Sequence, residues 1–336
     1  MNKLKPFFAM VHARNLEFVR DRGAFFWNLF FPLLLIAGLT AIFGNNNNTI
    51  FTVGTIGEIP PGFYLLETSG IDHVDYSLQG EGEHDALDAL RKHQISMFIN
   101  FETGKYYIND QSPDAALVKI LITSSPLSLT ESRISGESAR YIDWMIPGII
   151  ALNLMFSCLL GVGFIIIRYR RNGVLKRMRA TPISALSFIC AQATSRFIIA
   201  LFSSSVVFIG AGLIFGASIK GSVFDLLLVT TLGIFGLISL GLLFATRIKT
   251  EELGGGLINL VTWPMMFLSG AFFSLESAPP AIQNVSRIFP LTNFLEAVRA
   301  ITIDGAGLAQ IFPNILFLTV FTTVMFLISA MLFRWD

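Results

Sequence analysis

Six stretches of this chain stay apolar for roughly the 20 residues that a helix needs to cross a hydrocarbon layer about 30 Å thick. They are residues 24–43, 146–167, 197–214, 224–245, 253–273 and 311–333. Runs this long satisfy their backbone in lipid only as helices, since barrel strands are half the length. Composition agrees, because charged residues make up 14% of the 336, against about 25% in a water-facing domain. The chain therefore reads as an all-α polytopic membrane protein of six spans. The third stretch, rich in Ser and Gly, is the weakest; its helix is expected to begin near Ile183, and its small residues suit close helix contact. Cys158 and Cys190 fall in or beside these stretches and read as packing residues, not as a disulfide.

Lys and Arg in the short loops orient the spans. Loop 168–182 carries Arg168, Arg170, Arg171, Lys176, Arg177 and Arg179 without an acid, whereas loop 216–223 holds only Lys220. Arg247 and Lys249 follow the fourth stretch, Arg334 follows the sixth, and Lys3, Lys5, Arg14, Arg20 and Arg22 precede the first. All fall on one side of the map, which is then the cytoplasmic side and holds both termini. That face carries 15 basic and 5 acidic residues, the opposite face 9 and 18. The first stretch (24–44 with its exit) is expected to be a retained helix, since it exceeds a signal core and no A-x-A site follows. Ahead of it, residues 1–23 set Leu4, Phe7, Phe8, Val11 and Phe18 opposite Arg14, Glu17 and Asp21. This pattern reads as an amphipathic helix along the inner leaflet, or as a cytosolic extension of the first span. Arg196 reads as an interfacial arginine that snorkels.

Residues 45–140 are the one long polar region, with 13 acidic and 6 basic residues, and lie on the outer side of this map. Strands are expected at 51–56, 74–78, 95–101 and 105–108, and helices at 60–67, 85–93 and 113–122. That alternation suggests an inserted α/β domain with a partly parallel sheet. His73, His84 and His93 stand near several acids, but their spacing fits no strong metal-ligand pattern, so they read as solvated surface residues. The remaining residues, 141–336, form a five-helix membrane region.

No GxxxxGK[ST], HExxH, GxSxG or CxxC pattern occurs, so neither ATP hydrolysis nor bond cleavage is expected of this chain. Asn153, Asn259 and Thr262 are polar within the stretches, but no ionisable residue falls at a midplane. That argues against an ion-coupled carrier, which relays charge through such groups. Energy would have to come from elsewhere, and the basic loop, with a helical core between Gly173 and Pro182, reads as a docking element for a partner.

Taken together, the six spans, the amphipathic N-terminal helix, the large insert after the first span and the basic loop after the second resemble the type-2 ABC-transporter permeases over nearly the whole length. The best-matching pieces are GVLKRMRATPIS (173–184), FLSGAFFSLESAPPAIQNVSRIFPLTNFLEAVRAI (267–301) and LFRW (332–335). The resemblance implies that Gly173, Val174, Leu175, Lys176, Arg177, Met178 and Arg179 form a coupling helix seated in a groove of a separate ABC ATPase subunit. That subunit would hold ATP and Mg; this chain would hold no cofactor or metal, and would bind lipid but no nucleic acid. A second permease copy, identical or related, would face it across a path lined by Asn153, Met155, Phe156 and Ser157 opposite Asn259, Thr262, Met266 and Phe267. Family members often carry acids in the basic loop, where this chain has Arg170, Arg171 and Lys176. Its expected contacts are therefore carboxylates of the groove or anionic lipid, the latter about 1 kcal/mol per residue. Re-entrant helices are expected across 279–303 on the outer side, with Glu296 and Arg299 either paired or simply neutralising the surface. The implied activity is outward movement of an amphipathic, lipid-like or drug-like cargo from a bacterial inner membrane. Two other readings stay open: an ATPase-driven transducer that moves the outer domain without cargo, and a membrane sensor.

Overall fold

The computed structural model describes residues 4–43, 51–60, 71–76, 82–91, 95–109, 129–134 and 141–333, the last apart from 182, 218, 247, 249, 273–274 and 276–277. The chain divides into two units, Met1–Ala41 with Tyr141–Asp336, and Ile42–Arg140. The first is helical: α1 (Leu4–Arg20), α2 (Arg22–Phe43), α4 (Tyr141–Arg171), α5 (Val174–Arg179), α6 (Ala185–Phe215), α7 (Val223–Ala245), α8 (Glu251–Phe267), α9 (Pro280–Ser286), α10 (Pro290–Thr302) and α11 (Phe312–Leu332). Helix α3 (Glu83–Arg91) belongs to the second unit.

Among the described residues, five helices are long and apolar enough to cross a membrane, over Arg22–Thr40, Asp143–Arg171, Ala185–Phe215, Val223–Ala245 and Phe312–Leu332. Of these, α4 and α7 form the centre: 61% and 67% of their most apolar stretch is buried, against 17% in α2 and 11% in α11. Leu154, Cys158, Leu159 and Val162 of α4 share one core with Ile234, Leu237 and Ile238 of α7. Around it, Phe26, Trp27, Phe30 and Leu34 of α2, Leu213 of α6 and Met331 of α11 are exposed. Helices apolar around their whole circumference are solvated by hydrocarbon.

The fifth apolar stretch departs from the span expected over 253–273. Its helix, α8, has 17 residues, about 25 Å at 1.5 Å per residue. Beyond Phe267 the backbone turns: Leu268 N–H donates to the Pro264 carbonyl at 2.8 Å, Ser269 Oγ donates to the Met266 carbonyl at 2.9 Å, and Gly270 takes φ 77°. Arg299 of α10 holds this turn, with Nη1 donating to the Gly270 carbonyl at 2.8 Å and Nε to the Trp144 carbonyl at 3.3 Å. Its guanidinium also lies 3.8 Å from the centroid of the Trp144 ring, a favourable cation–π distance. The pairing of Glu296 with Arg299 is thus not formed. The carbonyls of Gly270, in the turn past α8, and of Trp144 of α4 draw Arg299 away, and Glu296 instead accepts from Asn314 Nδ2 at 3.1 Å. Proline opens both α9 and α10, where its missing N–H costs nothing. Leu291, Phe294, Leu295, Ala297 and Val298 bury α10 in the core.

Helix α2 is held by a defect. Pro32 has no N–H to give the Asn28 carbonyl four residues earlier. Two neighbours supply donors: Asn153 Nδ2 of α4 at 3.2 Å and Ser203 Oγ of α6 at 2.9 Å. One freed carbonyl thereby ties three helices.

The second unit contains a five-stranded sheet in the order β2-β1-β3-β4-β5, from β1 (Phe51–Ile56), β2 (Ile71–Asp75), β3 (Met97–Asn100), β4 (Lys105–Asn109) and β5 (Thr130–Ile134). β1 pairs in parallel with β2 and β3, β3 is antiparallel to β4, and β4 is parallel to β5. Helix α3 (Glu83–Arg91) packs Ala86, Ala89 and Leu90 with Tyr76, Ile95 and Phe98. The second strand falls three residues earlier than expected, and β5 had no counterpart among the expected strands. The helices expected at 60–67 and 113–122 lie largely or wholly outside the described residues, as does His93. His73 is exposed and bonded through Nε2 to Thr55 Oγ1 at 2.6 Å, a contact across the parallel β1–β2 pair.

Candidate functional site

Basic loop 168–182 begins as the last turn of α4. Gly173 then breaks the helix with φ 68°, a left-handed conformation that only glycine adopts without strain, and its N–H donates to the Arg170 carbonyl at 3.2 Å. The chain restarts at once as α5, whose first internal bond runs from Arg177 N–H to the Gly173 carbonyl at 3.2 Å. Leu175 is fully buried and Met178 packs on the core, whereas Lys176, Arg177 and Arg179 are exposed. Thr181 Oγ1 closes the helix by donating to the Met178 carbonyl at 2.6 Å. Ser184 then caps α6, accepting from Ser187 N–H at 3.1 Å. The loop is thus a short helix pinned by one leucine, with its cations turned outward.

Two of the six cations do not join that outward face. Arg170 is buried, and its guanidinium donates to the carbonyls of Ala245 and Thr246, each at 2.9 Å, and of Ile248. These carbonyls lie at or just past the C-terminus of α7. A cation there supplies missing donors and opposes the negative end of the helix dipole. Arg171 Nη1 bridges to Glu251 Oε2 at 3.0 Å, in the first turn of α8. Arg170 and Arg171 were expected to face groove carboxylates or lipid; instead they are spent on this chain's own α7–α8 elbow. The signal was available, since Arg170 continues the buried stripe of Leu159, Val162 and Ile166 at helical spacing.

Helix α1 docks beside this end of the bundle through a polar seam. Arg14 is buried, with Nε donating to Gln192 Oε1 of α6 at 3.1 Å and Nη1 to Glu17 Oε2 at 2.5 Å. Tyr169 of α4 donates to the same Glu17 oxygen at 2.6 Å, and Ser195 Oγ of α6 donates to Asn15 Oδ1 at 2.6 Å. Burial pushes the Glu17 carboxyl upward, but the Tyr169 bond and the Arg14 and Arg168 cations together hold it below its ordinary 4.5. The expected division of α1 is therefore turned: Arg14 packs inward with Val11, while Phe8 and Val19 are exposed. A buried arginine is tolerated because its donors meet acceptors on two other helices.

Arg196 also departs from expectation. It is 7% exposed and does not snorkel; Nη2 donates to the Ser157 carbonyl and Oγ near the middle of α4. The Phe18 ring stands 5.9 Å from its guanidinium. Gly161 provides the space, because a Cβ there would overlap that guanidinium. An ionisable group is thus buried between helices, held by α4.

The remaining expected path residues scatter. Asn153 serves the Asn28 carbonyl, Ser157 serves Arg196, and Met155 is fully buried. Thr262 is buried with Oγ1 donating to the Ile258 carbonyl at 2.7 Å, and Met266 is buried. Phe156 of α4 is exposed, as are Asn259 and Phe267 of α8. Trp263, absent from the expected set, joins that exposed α8 face with its ring 6.1 Å from Phe267.

A chain with several lipid-compatible helices, an inserted sheet unit and a pinned basic helix after the second apolar stretch defines a polytopic membrane protein of the permease kind. Residues 22–331 match the family described as ABC-2 family transporter protein, and the chain belongs to it. Over 215 residues it is 28% identical to the inner membrane transport permease YhhJ of Escherichia coli K12, covering 63% of this chain and 57% of that protein. Over 185 residues it is 20% identical to the probable multidrug ABC transporter permease YbhS of the same organism, covering 55% and 49%. A shorter match, 38% over 76 residues, relates it to nodulation protein J of Rhizobium meliloti, covering 23% and 29%. The chain spans about half the length of the first two relatives. It is a multi-pass protein of the cell membrane.

Proposed function

We propose that this chain is the membrane permease subunit of an ATP-driven exporter, paired with a separate ABC ATPase that holds ATP and Mg and with a second permease copy. The observation that carries the reading is the build of α5. One buried leucine and a left-handed glycine fix a helix that leaves Lys176 and Arg177 facing outward. Six residues with so little burial contribute little to this chain's own stability. Their arrangement suits a surface that another protein grips.

In this reading the basic loop and both termini are cytoplasmic. The sixth crossing is made by α8 together with the turn at Gly270 and helices α9 and α10, which dip into the outer leaflet. Such irregular backbone is tolerated at depth only where protein satisfies it, and Arg299 does so here. Closure of the ATPases on nucleotide pushes α5, rocks the bundles and changes access. The exposed residues Phe156, Asn259, Trp263 and Phe267 face the second copy and the path, whereas Met155, Ser157, Thr262 and Met266 act from within the protomer. A face this aromatic, with one amide, suits an amphipathic or lipid-like cargo moved outward.

The test is co-expression with an ABC ATPase subunit and reconstitution in liposomes carrying a fluorescent phospholipid or a hydrophobic cationic dye. Lys176→Glu with Arg177→Glu should leave the chain in the membrane but lose ATPase co-purification and ATP-dependent export. Unaided movement of the dye by the purified chain, or full export by the doubly reversed chain, would end this reading.

A further inference from the structure

We propose that Arg170 and Arg171 are positioning residues that lock the foot of α8 to the basic loop, so that a push on α5 is delivered to α8 and not to α4 alone. This rests on the transport reading above and adds a route to it. Adjacent helical residues point about 100° apart, and these two take opposite ends of one elbow. Arg170 grips the exit from α7 through the Ala245, Thr246 and Ile248 carbonyls. Arg171 grips the entry to α8 through Glu251. Between them lies a short connection with Thr246 and Ile248 buried and Thr250 capping α8, its Oγ1 accepting from Leu253 N–H at 3.3 Å.

The Arg171 side chain is 63% exposed, so its pair adds little stability in water. Its value is geometric. Only Asn172 and Gly173 separate Arg171 from α5, and Leu175 seats α5 in the core. Displacement of α5 therefore reaches the elbow through two backbone residues and two guanidiniums.

Just beyond the gripped turn, α8 softens. Gly254, Gly255 and Gly256 follow one another inside the helix, where glycine weakens helical backbone most after proline. The first two lie against α4: a Cβ on Gly254 would overlap Ile167 Cδ1, and one on Gly255 would sit 3.2 Å from Phe164 Cζ. Gly256 has open space around it. A stiff foot followed by a pliable turn lets the upper part of α8, with Asn259, Trp263 and Phe267, swing when the foot is moved. The guanidiniums are the handle and the glycines the joint.

The test uses the complex with its ATPase subunit in lipid nanodiscs, Cys158 and Cys190 replaced by Ala. Spin labels go on Leu34→Cys of α2 and Glu252→Cys of α8, in one copy per complex, and the label distance is read with and without ATP, Mg and vanadate. The otherwise native chain should show a nucleotide-dependent distance change. Arg170→Gln and Arg171→Glu should each lose it while ATPase still co-purifies. Arg170→Lys, and the exchange of Arg171→Glu with Glu251→Arg, should restore it. A full change in Arg171→Glu, or an exchange that fails to restore it in an intact complex, overturns the route. An intact complex whose native chain shows no change also overturns the route but leaves ATPase docking standing; absence of any ATPase complex overturns the transport reading and the route with it.

Discussion

The carbonyl freed by Pro32 makes a quantitative prediction about how α2 is attached. In the native chain the Asn28 oxygen accepts from Asn153 Nδ2 at 3.2 Å and Ser203 Oγ at 2.9 Å. Removing either donor leaves the other, so Asn153→Ala and Ser203→Ala should each cost about 0.6 kcal/mol, typical of one interhelical bond in a bilayer. Removing both strips a carbonyl in apolar surroundings, a loss of about 1–3 kcal/mol beyond the bonds themselves. The double variant should therefore exceed the sum of the singles by about 1–3 kcal/mol. Pro32→Ala restores a backbone N–H four residues on, and in that background the excess should vanish. Reversible unfolding of the detergent-solubilised chain by SDS, followed by circular dichroism, gives all the free energies. Additivity within about 0.5 kcal/mol in both backgrounds would refute the idea that the two side chains replace the missing N–H.

Gly161→Ala should destabilise by about 3 kcal/mol, because the new methyl displaces the Arg196 guanidinium from Ser157 and charged bonds of this kind contribute about 1.5–3 kcal/mol each. In an Arg196→Leu background the same change should turn neutral or stabilising by up to about 1 kcal/mol, the helix preference of Ala over Gly; a cost of equal size in both backgrounds would contradict it. Gly173→Ala meets no atom within 4 Å, so only its left-handed backbone resists, and a loss of about 1–2 kcal/mol in the same assay is expected. Glu17 has a folded pKa below its ordinary 4.5, so the unfolded state takes up the proton first as pH falls. Its contribution is present above that ordinary value and lost as pH drops through the folded one. The protection of α1 amides against hydrogen exchange, corrected for the intrinsic pH dependence of the exchange rate, should therefore fall below about pH 4.5 in the native chain and show no such step in Glu17→Gln.

The membrane helices were legible because roughly 20 apolar residues in a row leave few alternatives. The end of α8 was not, since residues 268–273 (Leu-Ser-Gly-Ala-Phe-Phe) remain apolar and nothing local says that Arg299, some 30 positions on, will hold a turn there. Pro280 and Pro290 mark their helix starts directly, because proline suits the first turn and little else in a helix. β5 escaped notice because Thr130–Ile134 carries Glu131 and Arg133 and, among the described residues, pairs with β4 alone, at an edge that tolerates charge. At the site, the outward cations Lys176 and Arg177 could be read from charge alone. The buried ones could not, although Pro32 four residues after Asn28, and Arg170 in register with Ile166, were visible clues. A polar residue in an apolar run invites a functional reading; Asn153 and Ser157 turn out to be serving a backbone carbonyl and an arginine.

Arg196 bears on how the polypeptide is threaded into lipid. A guanidinium on a lone helix raises the free energy of insertion, by up to about 2.5–3.5 kcal/mol where it reaches the helix centre, and the acceptors that relieve it sit on Ser157, in a segment synthesised earlier. Entry of α6 is thus eased where α4 already stands beside it to accept that guanidinium. One side chain thereby links the later helix to the earlier one.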